Sequence, residues 1–277
     1  DDGIRDPLWS RGLGDVYKRQ LQYMINLYGW SGALQASGGL VLIISLLALG
    51  LPGNKSETKK FNDSETESEL TLLKTINGAM SHSGYLLLNV GFFVCGFHVA
   101  FIGTHLPSFL QSEGISINTA SWALAMIGLF NMFGSMIFGR MGDSLSKKNL
   151  LSLLYTLRAI VIAGFLAIPL NEITAIAFGA AIGFLWLATV PLTSGIVAQV
   201  FGTRYLSTLW AIVFFSHQLG AFLGVWLGGR VYDETGTYTP VWLASIALGL
   251  LAGIIHLPIR EQPWKPSALE LKPSGGD

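Results

Sequence analysis

Seven stretches of this chain, each at least 22 residues long, are almost free of charge: 30–51, 75–112, 114–139, 149–170, 173–203, 205–229 and 235–259. Arg158 is the one Lys, Arg, Asp or Glu inside them. A helix rises about 1.5 Å per residue, so roughly 20 apolar residues cross the hydrocarbon core of a bilayer. Backbone groups in lipid must be satisfied within their own segment, which a helix does. The runs therefore predict an all-α polytopic membrane protein with seven transmembrane helices, and a lipid bilayer as its first partner.

Composition fits that reading. Charged residues are 12% of the chain, against about 25% in globular proteins. The 33 glycines suit helices whose backbones approach closely in a membrane. A net charge of zero gives no sign of a nucleic-acid partner. The single cysteine, Cys95, lies inside a span, so no intrachain disulfide is possible. Cys95 and His98 share helical spacing, but a lone pair of that kind reads as packing, and no metal or cofactor is expected.

Short loops rich in Lys and Arg face the cytoplasm. Lys55, Lys59, Lys60, Lys74, Arg140, Lys147, Lys148, Arg204, Arg260, Lys265 and Lys272 fall on one side of the predicted membrane, against Arg230 alone on the other. The C-terminus is therefore expected in the cytoplasm. Residues 54–69 are too polar to fold alone and read as a flexible stretch. The expected organisation is a lone helix over 21–53, a linker over 54–80, a six-helix block over 81–260 and a tail over 261–277. Residues 1–20, DDGIRDPLWSRGLGDVYKRQ, have no apolar core and so form no signal peptide. They resemble translated adapter sequence, and are expected to stand in place of native upstream protein.

The loop GRMGDSLSKKNLL, residues 139–151, resembles the short cytoplasmic loop motif of the major facilitator superfamily, roughly Gly-x-Leu-Ala-Asp-Arg-x-Gly-Arg-Lys. Gly139, Asp143, Lys147 and Lys148 match it, while Ser144 and Ser146 depart from it. The resemblance implies twelve helices in two six-helix halves. This chain would then supply helices six to twelve, and the missing N-terminal half would be its partner. GFFVCGFHVAFIGTHLP and VFFSHQLGAFLGVWLGGRVYDETGTY resemble the bacterial monocarboxylate and oxalate/formate porters. That branch often carries an arginine on helix eight, and here the helix is uncharged until its cytoplasmic end.

What the resemblance implies is a secondary transporter rather than an enzyme, moving a small organic solute by alternating access, with protons as the simplest coupling ion. It implies an inner (plasma) membrane location. A drug or neutral-metabolite exporter is the main variant. A membrane-embedded enzyme and a structural seven-helix protein are the readings from other classes.

Polar groups inside a bilayer are costly and face a cavity or another helix. His98, Asn131, Trp186 and His217 fall near one level, where such transporters bind substrate. His105 shares a face with His98 but lies near the outer end. Histidine exchanges protons near neutral pH, which makes His98 the first candidate for coupling, ahead of His217. Arg158 alone suggests a counter-charge for a carboxylate. Helix nine is peripheral in the superfamily, so a structural arginine between helices is favoured. The superfamily also implies a lock: Asp143 against the N-terminus of helix eleven, near Ser207, where the helix dipole favours negative charge. Gly220, Gly224 and Gly228 form a row of small residues on that helix, suited to close packing.

Overall fold

Charge-poor runs become helices wherever the computed structural model describes them, which is over residues 72–264 and at scattered positions between 28 and 43. Those scattered positions are helical. The expectations for residues 1–20, most of the first helix, 54–71 and 265–277 lie outside the described residues. In the larger unit the order is α1 (Leu72–Ser81), α2 (Ser83–Ser112), α3 (Ile117–Ser144), α4 (Lys147–Ala167), α5 (Glu172–Phe184), α6 (Thr189–Phe201), α7 (Leu206–Thr235) and α8 (Thr239–His256). Six spans are long and apolar enough to cross a membrane, with α5 and α6 together forming one of them, Glu172–Phe201. There is no strand among the described residues.

Two of the sequence expectations shift. Residues 72–80 of the expected linker are helical, within α1, which runs on to Ser81. The run 75–112 is bent at His82, whose backbone is extended and whose side chain caps α2 by accepting from Tyr85 N at 3.3 Å. That bond needs an unprotonated Nδ1. Burial, and then the nearby Arg260 charge, hold the His82 imidazole below its ordinary 6.5. The sign follows: the unfolded chain takes up the proton first on acidification. The stabilisation is complete above about pH 6.5 and is lost as pH falls through the lower folded value. Amide exchange at Tyr85 should therefore quicken below about pH 6.5. In His82→Asn, whose cap does not titrate, the exchange should lose that extra acid dependence.

Helix ends carry ordinary caps. Ser116 accepts from Thr119 N at 3.2 Å to start α3. Asn171 and Thr174 form a reciprocal capping box at α5. Gly236, with φ of 70°, ends α7 in the left-handed region that other residues avoid.

Three helix pairs pack most closely, and each does so through glycine. On α2 and α7, a Cβ at Gly96 would overlap the His217 carbonyl, and one at Gly220 the Phe93 carbonyl. On α3 and α5, Gly134 lies on the Phe184 backbone and Gly179 on that of Ala123. On α4 and α8, Gly249 and Gly253 lie against Ala159 and Thr156. Lipid supplies no hydrophobic drive between helices, so close backbone approach has to supply dispersion contact instead.

Two apolar clusters fill the interior. One contains Tyr85, Leu88, Phe92, Leu154, Leu192 and Leu209. The other centres on Trp242, ringed by Phe101, Phe109, Phe165 and Phe178 at 4.9–5.9 Å between centroids. They meet between Cys95 and Phe97 on α2 and between Ile182 and Leu185 after α5.

The segment after α8 is packed rather than a free tail. Glu261 Oε1 accepts from Lys148 N at 2.6 Å and from Ser146 Oγ at 3.2 Å, so it caps α4, which its own N-cap Ser146 does not. Lys148 Nζ donates to Leu257 O at 2.9 Å, Gln199 Nε2 to Glu261 O at 2.9 Å, and Trp264 N to Val200 O at 2.8 Å. The strap joins the ends of α4, α6 and α8. Glu261→Ala should cost about 1 kcal/mol, the usual loss for a helix cap. Thermal unfolding in detergent should show a lowered midpoint, and Glu261→Gln, which keeps an acceptor, should lose less.

Candidate functional site

The run 173–203 is not one helix. It stops after Phe184 and restarts at Thr189, leaving residues 185–188 irregular at the level where the two apolar clusters meet. A helix end leaves carbonyls and amides without intrahelical partners, and in lipid none can be left to water. Two neighbouring helices supply them. From α4, Arg158 donates through Nε to Leu185 O at 3.0 Å and through NH2 to Leu185 O at 2.6 Å, and NH2 also donates to Trp186 O. From α3, Asn131 Oδ1 accepts from Leu187 N at 3.0 Å. A cation at a helix C-terminus also meets the negative end of the helix dipole.

Arg158 is only 1% exposed. Its NH1 donates to Cys95 Sγ at 3.5 Å on α2, and its guanidinium lies 5.3 Å from the centroid of the Tyr155 ring. Cys95 Sγ is also 3.3 Å from Thr189 Oγ1, the first residue of α6. The arginine thus holds α2, α4 and both halves of the broken span around one buried polar centre.

His98, one turn along α2 from Cys95, and His217 on α7 are both buried. His98 Nε2 is 2.8 Å from Ser245 O on α8. A carbonyl only accepts, so Nε2 carries the hydrogen. Nδ1 is buried without a partner. One carbonyl on one nitrogen and nothing on the other is the geometry of a single tautomer tying two helices together. His217 donates from Nδ1 to Gln218 Oε1 at 3.2 Å and is stacked on Phe214 at 5.4 Å. Its Nε2 is buried and unpartnered.

The other expected residues stand apart. His105 is half-buried toward the far end of α2 and bonds Val225 O at 3.0 Å across the α2–α7 contact. The Trp186 ring is half-buried, and its backbone carbonyl, not its indole, meets Arg158. Asp143 makes none of the contacts expected of it: it is exposed, with no hydrogen bond or ion pair to a described residue. The reason is packing. The end of α3 lies on α6, where Gly142 abuts Leu192 and Gly139 abuts Pro191, rather than on the start of α7 near Ser207. Lys147 donates to Gln199 at 3.0 Å, also on α6. The matched loop residues thus tie α3 and α4 to α6 and to the segment after α8.

Sequence reading passed over the break itself, along with Tyr155, Thr189 and Glu261, and took Cys95 only as packing beside His98. One signal was available. Pro191 has no N–H and is tolerated in the first turn of a helix, where it now sits. It calls for a helix start just upstream. Among the described residues, no three His, Cys, Asp or Glu side chains gather as metal ligands would.

A sequence profile for the Major Facilitator Superfamily matches residues 21–225 and 88–274. An uncharacterized MFS-type transporter of Bacillus subtilis, YcxA, is 27% identical over 176 residues, covering 62% of this chain and 43% of the relative. Monocarboxylate transporter 12 of Mus musculus is 24% identical over 271 residues, covering 86% of this chain and 55% of the relative. Monocarboxylate transporter 13 of Rattus norvegicus is 26% identical over 249 residues, covering 86% and 54%. The chain spans about half the length of these relatives. With six apolar membrane-length spans and a profile match over most of its length, the chain belongs to the Major Facilitator Superfamily.

Proposed function

We propose that this chain is the C-terminal part of a secondary active transporter. It moves a small monocarboxylate-like anion by alternating access, driven by a proton gradient, in the inner (plasma) membrane with its C-terminus in the cytoplasm. A six-helix half upstream completes the solute path. The observation that carries the reading is Arg158: a buried cation at the middle of the bundle, met by carbonyls and a thiol and by no carboxylate among the described residues. Polar centres at that depth mark solute or proton paths. The names of the relatives, monocarboxylate transporters 12 and 13, point the same way. Support for orientation comes from the Lys and Arg bias of the loops.

One observation favours a second reading. Helix α3 has no charged residue before Arg140, so the helix-eight arginine of monocarboxylate porters has no counterpart here. An exporter of neutral or drug-like solutes would need none.

The test is transport by the full-length protein in proteoliposomes. Saturable counterflow of radiolabelled lactate, with accumulation raised by an acidic outer face, is the expected result. Lactate counterflow at the background of empty liposomes, with saturable export of a lipophilic dye, would replace the anion reading by the exporter one. Residues 21–277 alone should show only background uptake, because half of the cavity wall is absent.

A further inference from the structure

Helix α2 is 30 residues long. At about 1.5 Å per residue it reaches across a whole bilayer, headgroups included. The helix α1 before it is therefore not needed to span. It is set apart from α2 by the extended backbone of His82, with φ of −87° and ψ of 114°. A helix turns about 100° per residue, which sorts α1 into three arcs. Thr75, Gly78 and Ala79 form the first and are buried. A Cβ at Gly78 would overlap the Trp264 ring, and Trp264 N is fixed to Val200 O at 2.8 Å. This arc seats α1 on the strap that follows α8. Lys74, Asn77 and Ser81 form a second arc, which is polar. The third is apolar and holds Leu72, Leu73, Ile76 and Met80. Leu73 is 71% exposed and Met80 46%, although the buried arc lies directly beside them.

We propose that α1 is a surface helix of the bilayer, lying at the headgroup–acyl boundary with Leu72, Leu73, Ile76 and Met80 among the phospholipid chains. Three arcs then meet three surroundings. Protein covers Thr75, Gly78 and Ala79, hydrocarbon takes the apolar arc, and water and headgroups take Lys74, Asn77 and Ser81. A helix with one apolar and one polar face lies in the plane of the interface. Two further observations name phospholipid as the occupant. The stripe continues an exposed apolar surface at the same end of the bundle, where Leu145 follows α3 and Leu257 follows α8. Among the described residues, the bases of this end, Lys74, Arg140, Lys147, Lys148, Arg204 and Arg260, outnumber the acids Asp143 and Glu261. That balance suits anionic headgroups. A protein partner fits less well, because four side chains on a 10-residue helix fall short of the roughly 1,200 Å² that a stable interface buries. Which leaflet receives α1 rests on the orientation proposed above; the lipid contact does not.

Cys95 is the one cysteine in the chain and is buried. Leu73→Cys, Asn77→Cys and Met80→Cys can therefore each carry a nitroxide in the 277-residue chain, with wild type treated alike as the blank. All three sites are exposed, so the label displaces no packed neighbour. The probe membrane is a nanodisc of phosphatidylethanolamine and phosphatidylglycerol. At Leu73→Cys and Met80→Cys, collisions with oxygen should exceed those with a water-soluble nickel chelate several-fold, at a depth of about 5–10 Å. At Asn77→Cys the order should reverse. Nickel collisions as frequent at the first two sites as at the third would place the stripe in water and overturn the proposal. Shielding of the first two from both reagents would overturn it as well, by showing protein over the stripe: a second copy, another partner or a further stretch of this chain. The readout involves no transport, so neither result touches the transporter reading, and failed transport leaves the lipid contact standing.

Discussion

Arg158→Met should destabilise the bundle by about 2–5 kcal/mol, with each buried carbonyl left unpaired costing about 1–3. Methionine has a similar reach and no donors, so Leu185 O and Trp186 O lose their side-chain partner inside a region closed to water. The break at 185–188 then has two poor choices: to keep orphaned carbonyls, or to rewind into helix. Rewinding would draw Leu187 N away from Asn131, and with it the α3 contact. Arg158→Lys should fall between wild type and Met, because one ammonium cannot bridge two carbonyls and a sulfur as a planar guanidinium does. Unfolding in mixed micelles followed by tryptophan fluorescence would rank the three. A Met variant within about 0.5 kcal/mol of wild type, the range of a featureless surface change, would mean that the arginine does not hold the break.

Gly220→Val should be comparably severe, by overlap rather than by loss of a bond. A Cβ at Gly220 would run into the Phe93 carbonyl, and four residues on, one at Gly224 would lie 2.5 Å from the Phe97 carbonyl. Neither obstacle is a flexible side-chain tip, so the two helices would have to separate. Overpacking costs about 1–3 kcal/mol in a core that can adjust, and here the obstacle is backbone. Separation would also disturb His217, whose carbonyl sits against Gly96 in the same contact. Yield of monodisperse protein and a melting midpoint would report it. Gly164, where an added Cβ would meet nothing within 4 Å, is the control site, and Gly164→Ala should melt like wild type or slightly higher.

The fold was legible because spans declare themselves by length and by lack of charge, without reference to any neighbour. The same rule hid the break. Nothing in GFLWLATVP lowers the apolar character of the run 173–203, and its one sign is Pro191, meaningful only once a helix start is sought. Arg158 was singled out as the one charge in a span, and its structural role between helices was the favoured reading. Its partners could not be named, because they are backbone atoms 27 and 28 residues away, and a backbone carbonyl leaves no mark on a sequence. Asn131 was chosen by depth, and His98 and His217 by depth together with an imidazole's capacity to exchange a proton. Depth gives the level of a residue but not its neighbour, which is why Ser245 O, Leu187 N and Gln218 were invisible. Asp143 was read from its motif, and a motif does not say which helix the end of α3 will pack on.

The broken span also bears on how such a chain is made. Asn131 and Arg158, the two side chains that satisfy residues 185–188, both precede the break in the chain. Synthesis runs from the N-terminus, so α3 and α4 have emerged before the segment that needs them. The interrupted span can be received at once by donors and acceptors already in the bilayer, instead of waiting there with bare peptide groups. In a circular permutant beginning at α5, the same contacts would exist at equilibrium, but the break would emerge first and stand alone until its partners followed. Such a permutant should be degraded during biogenesis more readily than one opened between α2 and α3, in which α3 and α4 still emerge before the break.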